Sequence, residues 1–322
     1  LDRTNIQSML KANGYNTAQV GKWHLGYQNT TTDYAQELTP GPLDIGFDYH
    51  WGLPCNNGDL AGIWIENRWA VDLVASMDLL PPEQQHPAQN WLGRDMLGIP
   101  SPFREDSLGM GIMTNKVKNW IRQQDGVTPF FMYYALSAVH NPITPGPEYQ
   151  GTSGAGPYGD FINEVDGAVS GILDLLDSMN IADNTIVLFT ADNGWDYYYN
   201  FGDHIPAIPA GFYDQLGGPF DGTKHTIWEG GFRVPYVVRR PGHVPAGTTC
   251  DEMINLVDTY ATLAAILGID MPRATDSANV KSGAEDSFNV LPAWLGDSYQ
   301  KPIRDHMIGT SASGNIAVRS GD

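Results

Sequence analysis

The sequence predicts an α/β protein built on a mainly parallel or mixed central sheet flanked by helices. Three observations carry that reading. Residues 130–136 and 185–190 are continuous apolar runs without alternation, which suits strands covered on both faces. Residues 157–179 repeat Phe161, Val165, Ala168, Ile172, Leu175, Leu176 and Met179 at helical spacing. Strand-like and helix-like segments alternate, and that order builds a parallel sheet with helices on its faces.

Taken in order, residues 4–13 read as a short helix with Thr4 as its cap, Ile6, Met9 and Leu10 on one face, and Gly14 as its stop. Residues 14–26 follow as a strand bracketed by glycines. Residues 27–106, rich in Pro, Gly, Asn and Trp, read as a long irregular region with an ordered, aromatic surface. Residues 107–124 predict a helix burying Ile112, Met113, Val117, Trp120 and Ile121. After the strand at 130–136 and the helix at 157–179 come strands at 185–190 and 234–239. A helix at 254–267 is closed by Gly268, and residues 274–286 have the composition of a flexible surface loop.

Bulk properties narrow the function. A chain of 322 residues buries a substantial core in one large or two ordinary domains. The formal charge of −19 excludes nucleic acid as a natural partner, since no basic stripe neutralises phosphates. An anionic ligand would need a few local cations in a focused pocket. No apolar run reaches the length of a membrane span, and no signal peptide is present. Cys55 and Cys250 form neither a disulfide framework nor a zinc spacing. The opening Leu-Asp-Arg lacks an initiator Met, so the first residue is not expected to start the gene product.

Polar residues collect where strands end, the place where open α/β sheets bind ligands. Lys22 and His24, two apart on the first strand, would share a face and leave Trp23 on the other. An ammonium beside an imidazole suits a tetrahedral anion, although an exposed edge strand carries such a pair equally well. His140 follows the strand at 130–136. Asp192 and Asn193 follow the strand at 185–190 and offer the oxygen ligands that hard cations prefer, in a tripeptide that also suits an ordinary turn. Lys224 and His225 precede Glu229 and Arg233, which read as an ion pair around a Gly-Gly turn.

Together these segments are specific. Gly-Tyr-x-Thr-x-x-x-Gly-Lys-Trp-His-Leu-Gly at 14–26, His140 with Pro142, Asp183-Asn184-Thr185 running into Asp192-Asn193-Gly194, and Gly222-Thr223-Lys224 before Glu229-Gly230-Gly231-Phe232-Arg233-Val234-Pro235 occur in one order. The chain resembles a type I sulfatase of the alkaline phosphatase superfamily, in the branch of arylsulfatases and carbohydrate sulfatases. The resemblance implies an alkaline phosphatase-like fold, a calcium ion (magnesium is the alternative) and a formylglycine nucleophile. It implies Asp192 and Asn193 as metal ligands, Lys22 and Lys224 as partners of sulfate oxygens, His24 as partner of the formylglycine diol, and His140 as donor to the leaving oxygen. All six would converge on one oxyanion.

The likeness is incomplete. No Cys/Ser-x-Pro-x-Arg segment occurs, so the formylglycine is expected upstream, as is the aspartate pair that completes the metal site. Residues 1–300 are expected to form a catalytic α/β domain lacking its N-terminal part, and 301–322 the start of a smaller C-terminal subdomain. The chain alone is expected to be inactive. Aromatic and amide residues at the pocket rim favour a sulfated saccharide over a simple aryl sulfate, with His225, Trp195 and Asn57 as substrate contacts. A phosphoester or phosphonate hydrolase, or a non-catalytic saccharide-binding relative, stands as the alternative. Charge and family habit together point to a periplasmic or secreted protein, and the oligomeric state stays open.

Overall fold

A computed structural model describes residues 3–28, 32–56, 63–71, 105–196, 219–271, 284–300 and 302–321. Among them the chain divides into two compact units, one formed by Leu10–Leu175, the other by residues up to Met9 and from Leu176 onward.

The first unit is organised by β1 (Asn16–Lys22), whose Thr17, Ala18, Gln19 and Val20 are wholly buried. It lies parallel to β2 (Tyr49–Leu53) on one side and to β5 (Phe130–Ala135) on the other. Two short strands, β3 (Trp64–Glu66) and β4 (Trp69–Val71), continue antiparallel from β2, giving the order β4-β3-β2-β1-β5. The central sheet is therefore mixed. Gly21 has φ 109°, and a Cβ there would lie 1.9 Å from the Ala135 carbonyl oxygen, so only glycine permits this strand approach.

Helices cover the sheet. The helix Gly109–Arg122 buries Met110, Met113, Val117 and Ile121, the i, i+3, i+7, i+11 stripe. Its Thr114 hydroxyl meets Tyr134 Oη of β5 at 2.9 Å, and Lys116 Nζ lies 3.4 Å from the centre of the Trp51 ring. The helix Gly156–Ser178 buries Phe161, Ala168, Leu175 and Leu176. Trp23, Tyr27, Tyr34, Leu38, Phe47, Ile63 and Ile65 form a separate aromatic core.

In the second unit β6 (Val187–Thr190) pairs antiparallel with β7 (Tyr236–Arg239), and β8 (His306–Thr310) with β9 (Ile316–Ser320). The helix Asp258–Ile266 packs Tyr260 and Ala264 against Met9. Its buried Asp258 binds Arg304 at 2.5 Å and also accepts the backbone N–H groups of Asn255 and Phe288.

Several expectations need correction. The first helix runs Ile6–Ala12, and its cap is Asn5, which exchanges side-chain and backbone bonds with Ser8; Thr4 is not the cap. Within 27–106, described residues form β2, β3, β4 and a 3-10 turn at Pro42–Ile45, so that stretch is not irregular throughout. The strand expected at 234–239 runs Tyr236–Arg239 and pairs antiparallel with β6. Residues 274–283 of the expected loop lie outside the described residues.

Candidate active site

In the first unit, register places the polar residues. β1 and β5 pair up to Gly21 and Ala135, so Lys22 and the segment 137–140 leave the sheet at the same ends of adjacent parallel strands. Lys22 is the last residue of β1, and His24 lies beyond it in the left-handed region with φ 58°. Strand alternation therefore does not relate the two, contrary to the sequence reading. Between them Trp23 is 8% exposed in the core and donates its indole N–H to the Gly26 carbonyl at 2.8 Å. Backbone bonds from Trp23 to Leu53 O and from His24 to Pro54 O, both 2.9 Å, carry the ladder past the strand end.

His140 is fixed by its own turn. Its backbone N–H donates to Ser137 O at 3.1 Å, and Nδ1 lies 2.8 Å from Asn141 O. A carbonyl only accepts, so Nδ1 carries a proton and proton exchange falls to Nε2. Ser137, buried at the strand exit, has a hydroxyl with no hydrogen-bond partner among the described residues, and the sequence reading passed over it.

In the second unit, backbone contacts do the placing. Asp192 and Asn193 form the bend after β6, and Asn193 Nδ2 donates to Gly194 O at 2.8 Å, so its side-chain oxygen is the acceptor end of the amide. Gly194 N–H donates to Gly231 O at 2.9 Å, and a Cβ on Gly194 would lie 1.8 Å from Gly230 O. Lys224 N–H donates to Trp195 O at 2.7 Å, while its ammonium lies 3.8 Å from Asp196 Oδ2. Thus Asp192, Asn193, Trp195 and Lys224 belong to two loops zipped together. His225 has φ 73°, and its carbonyl accepts the Ala312 N–H at 3.1 Å from the β8–β9 turn.

Glu229 and Arg233 do pair, at 3.2 Å, across a short helix (Glu229–Phe232), and Glu229 also binds Arg319 of β9 at 2.9 Å. Asp196, the buried partner of Lys224, was not singled out from sequence; only the backbone bond between the loops brings it there. Asn57 lies outside the described residues. Neither Cys55 nor Cys250 is in a disulfide among the described residues.

The carboxylate of Asp192 and amide oxygen of Asn193 fit a hard cation chemically. They make only part of a shell: among the described residues no group of three or more His, Cys, Asp or Glu is placed to hold a metal. No described helix is long and apolar enough to cross a membrane.

A family model described as Sulfatase matches residues 1–269. An N-acetylgalactosamine-6-O-sulfatase of Bacteroides thetaiotaomicron is 30% identical over 98% of this chain and 64% of its own length. The human N-acetylgalactosamine-6-sulfatase is 30% identical over 92% of this chain and 50% of its own. The chain thus spans from under half to about two thirds of the length of the curated relatives it matches. A solved structure described under metabolism of multiple glycosaminoglycans by Bacteroides thetaiotaomicron superposes with TM-score 0.78 and 28% identity, covering 98% of this chain and 68% of that one. On the match over residues 1–269 and the ordered motifs it contains, the chain belongs to the sulfatase family.

Proposed function

We propose that this chain is the greater part of a sulfuric ester hydrolase acting on a sulfated carbohydrate, with a 6-sulfated amino sugar as the favoured substrate. One observation carries the reading: Lys224 is bonded through its backbone to Trp195, beside the oxygen donors Asp192 and Asn193, in a chain of this family. The two relatives named for N-acetylgalactosamine 6-sulfate support the sugar class. A secreted or periplasmic location is consistent with such a substrate, and the net charge of −19 leaves its attraction to local cations.

In this reading Lys22 and Lys224 each neutralise sulfate oxygens. His24 donates a hydrogen bond to the nucleophile. His140, held through Nδ1, gives a proton from Nε2 to the bridging oxygen as the S–O bond breaks and the alcohol leaves. Negative charge grows on that oxygen, so the proton stabilises the transition state more than the ground state. His225 and Trp195 contact the sugar, and Asn57 joins them. Asp192 and Asn193 would hold calcium, which supplies Lewis-acid polarisation of the sulfate when bound. The 322 residues contain no Cys/Ser-x-Pro-x-Arg segment, so they fit recognition and leaving-group protonation, and nucleophilic attack is not assigned to any of them.

The test is release of inorganic sulfate from N-acetylgalactosamine 6-sulfate by the gene product carrying this chain, with a phosphate monoester as control. His140→Ala is expected to lower kcat by about 10²–10⁴-fold on the sugar sulfate. It should lower it much less on 4-nitrophenyl sulfate, whose leaving group needs no proton. Equal losses on both substrates would remove His140 from its role, and preference for the phosphate ester would overturn the reaction class. The 322-residue chain alone is expected to bind without turnover.

A further inference from the structure

His50 has no part in the chemistry proposed above, yet it sits beneath the segment that carries Lys22 and His24. It is wholly buried in β2. Its Nδ1 bonds to Gln19 Oε1, and its Nε2 lies 2.8 Å from Tyr27 Oη. Gln19 Nε2 in turn donates to the Lys22 carbonyl at 3.2 Å.

The direction of each bond follows from the last one. Because the Gln19 amide nitrogen faces Lys22 O, its oxygen faces His50 and must accept, so Nδ1 carries the proton. A neutral imidazole then accepts at Nε2, and the Tyr27 hydroxyl donates. The result is one unidirectional chain from Tyr27 through His50 and Gln19 to Lys22 O. Its two ends are the two ends of the loop 22–27. Between them Trp23 is buried and closes onto Gly26, and its ring centre lies 6.3 Å from that of His50. His24, at φ 58°, occupies a conformation that persists only when its surroundings over-determine it.

Two further contacts remove slack. His50 N–H donates to Asn67 Oδ1 at 3.1 Å, and Asn67 N–H returns to His50 O at 2.8 Å. A Cβ at Gly52 would lie 3.0 Å from His50 Cε1, so a side chain at position 52 would press on the ring.

We propose that His50 is a positioning residue which, through Gln19 and Tyr27, staples both ends of the 22–27 loop and holds Lys22 and His24 where an oxyanion is received. The staple stands on geometry alone; the oxyanion rests on the sulfatase reading. Once the staple is cut, the loop should lose its single conformation while the sheet below it persists.

The experiment uses the 322-residue chain, labelled with ¹⁵N, in the wild type and in Tyr27→Phe, His50→Phe and His50→Gln. Tyr27→Phe removes only one hydroxyl and serves if His50→Phe fails to fold. In Tyr27→Phe and His50→Phe the amide signals of residues 22–26 are expected to shift or broaden, while those of β5 stay in place. His50→Gln, which can still donate and accept, should restore them. Sulfate titration with calcium present gives the second readout: Tyr27→Phe lowers affinity several-fold in the wild-type background and has no further effect in Lys22→Ala. Unchanged loop signals in Tyr27→Phe and His50→Phe, or shifts spread evenly over the sheet, would overturn the staple. Loop signals that move while Lys22→Ala leaves sulfate affinity unchanged would keep the staple and overturn the oxyanion role of Lys22.

Discussion

Lys22 ends a strand hydrogen-bonded on both sides, whereas Lys224 sits in a loop whose place is set by a 2.7 Å backbone bond to a second loop. In the first unit, sheet register and a buried polar chain determine where the candidate residues emerge. In the second, glycines allow two loops to touch, and polar pins hold the surrounding scaffold. A site residue on a register-fixed strand depends on the core below it. One on zipped loops depends on a few atoms beside it, so the second unit should be the more sensitive to single substitutions outside its apolar core.

The largest effect is expected at Arg304. Its side chain is 7% exposed against fully buried Asp258, which also accepts two backbone N–H groups. Arg304→Met leaves that carboxylate buried without its cation and should destabilise the second unit by about 3–5 kcal/mol. Chemical denaturation checks this, and a loss under 1 kcal/mol would show that the pin carries little. Next comes Gly194→Ala. The added methyl would meet Gly230 O at 1.8 Å, so the loops must part. Overpacking of this kind costs about 1–3 kcal/mol, and calcium and sulfate binding should fall with it. Intact binding with intact stability would contradict the zipped-loop account.

The first unit should answer to acid instead. Burial lowers the His50 pKa from 6.5 to about 3, so the folded chain keeps it neutral while the unfolded chain takes up a proton below pH 6.5. The unfolded state then binds more protons, and stability falls as pH drops from about 6.5 towards 3. His50→Gln should flatten the decline between pH 6.5 and 4, measured by urea midpoints, and an unaltered profile would argue against a neutral His50. The smallest effect belongs to Glu229→Gln. Its partners Arg233 and Arg319 are partly exposed, and such pairs contribute about 0–1 kcal/mol. A larger loss would mean that β9 is held mainly through that carboxylate.

How much was legible in the sequence follows the same division. The helices Gly109–Arg122 and Gly156–Ser178 and the strands β5 and β6 were visible as apolar spacing, but β5 and β6 are only half-buried and Tyr133 is exposed, where the sequence suggested strands covered on both faces. β2 escaped notice: its buried face includes His50, and its Gly52 removes a side chain where strands crowd. His24 misled strand alternation because a left-handed residue ends it. The candidate site residues were legible only as family motifs. Asp196 and the β8–β9 turn reach Lys224 and His225 through contacts between segments distant in the chain, the 2.7 Å bond to Trp195 and the 3.1 Å bond from Ala312, which no local pattern announces.

The proposed function assigns Lys22 and Lys224 each to sulfate oxygens. Calorimetric titration of sulfate into the chain with calcium present, for the wild type, Lys22→Ala and Lys224→Ala, tests it most directly. Each substitution is expected to weaken binding about tenfold or more, roughly 1.4 kcal/mol. Sulfate binding unchanged in either variant would contradict the account.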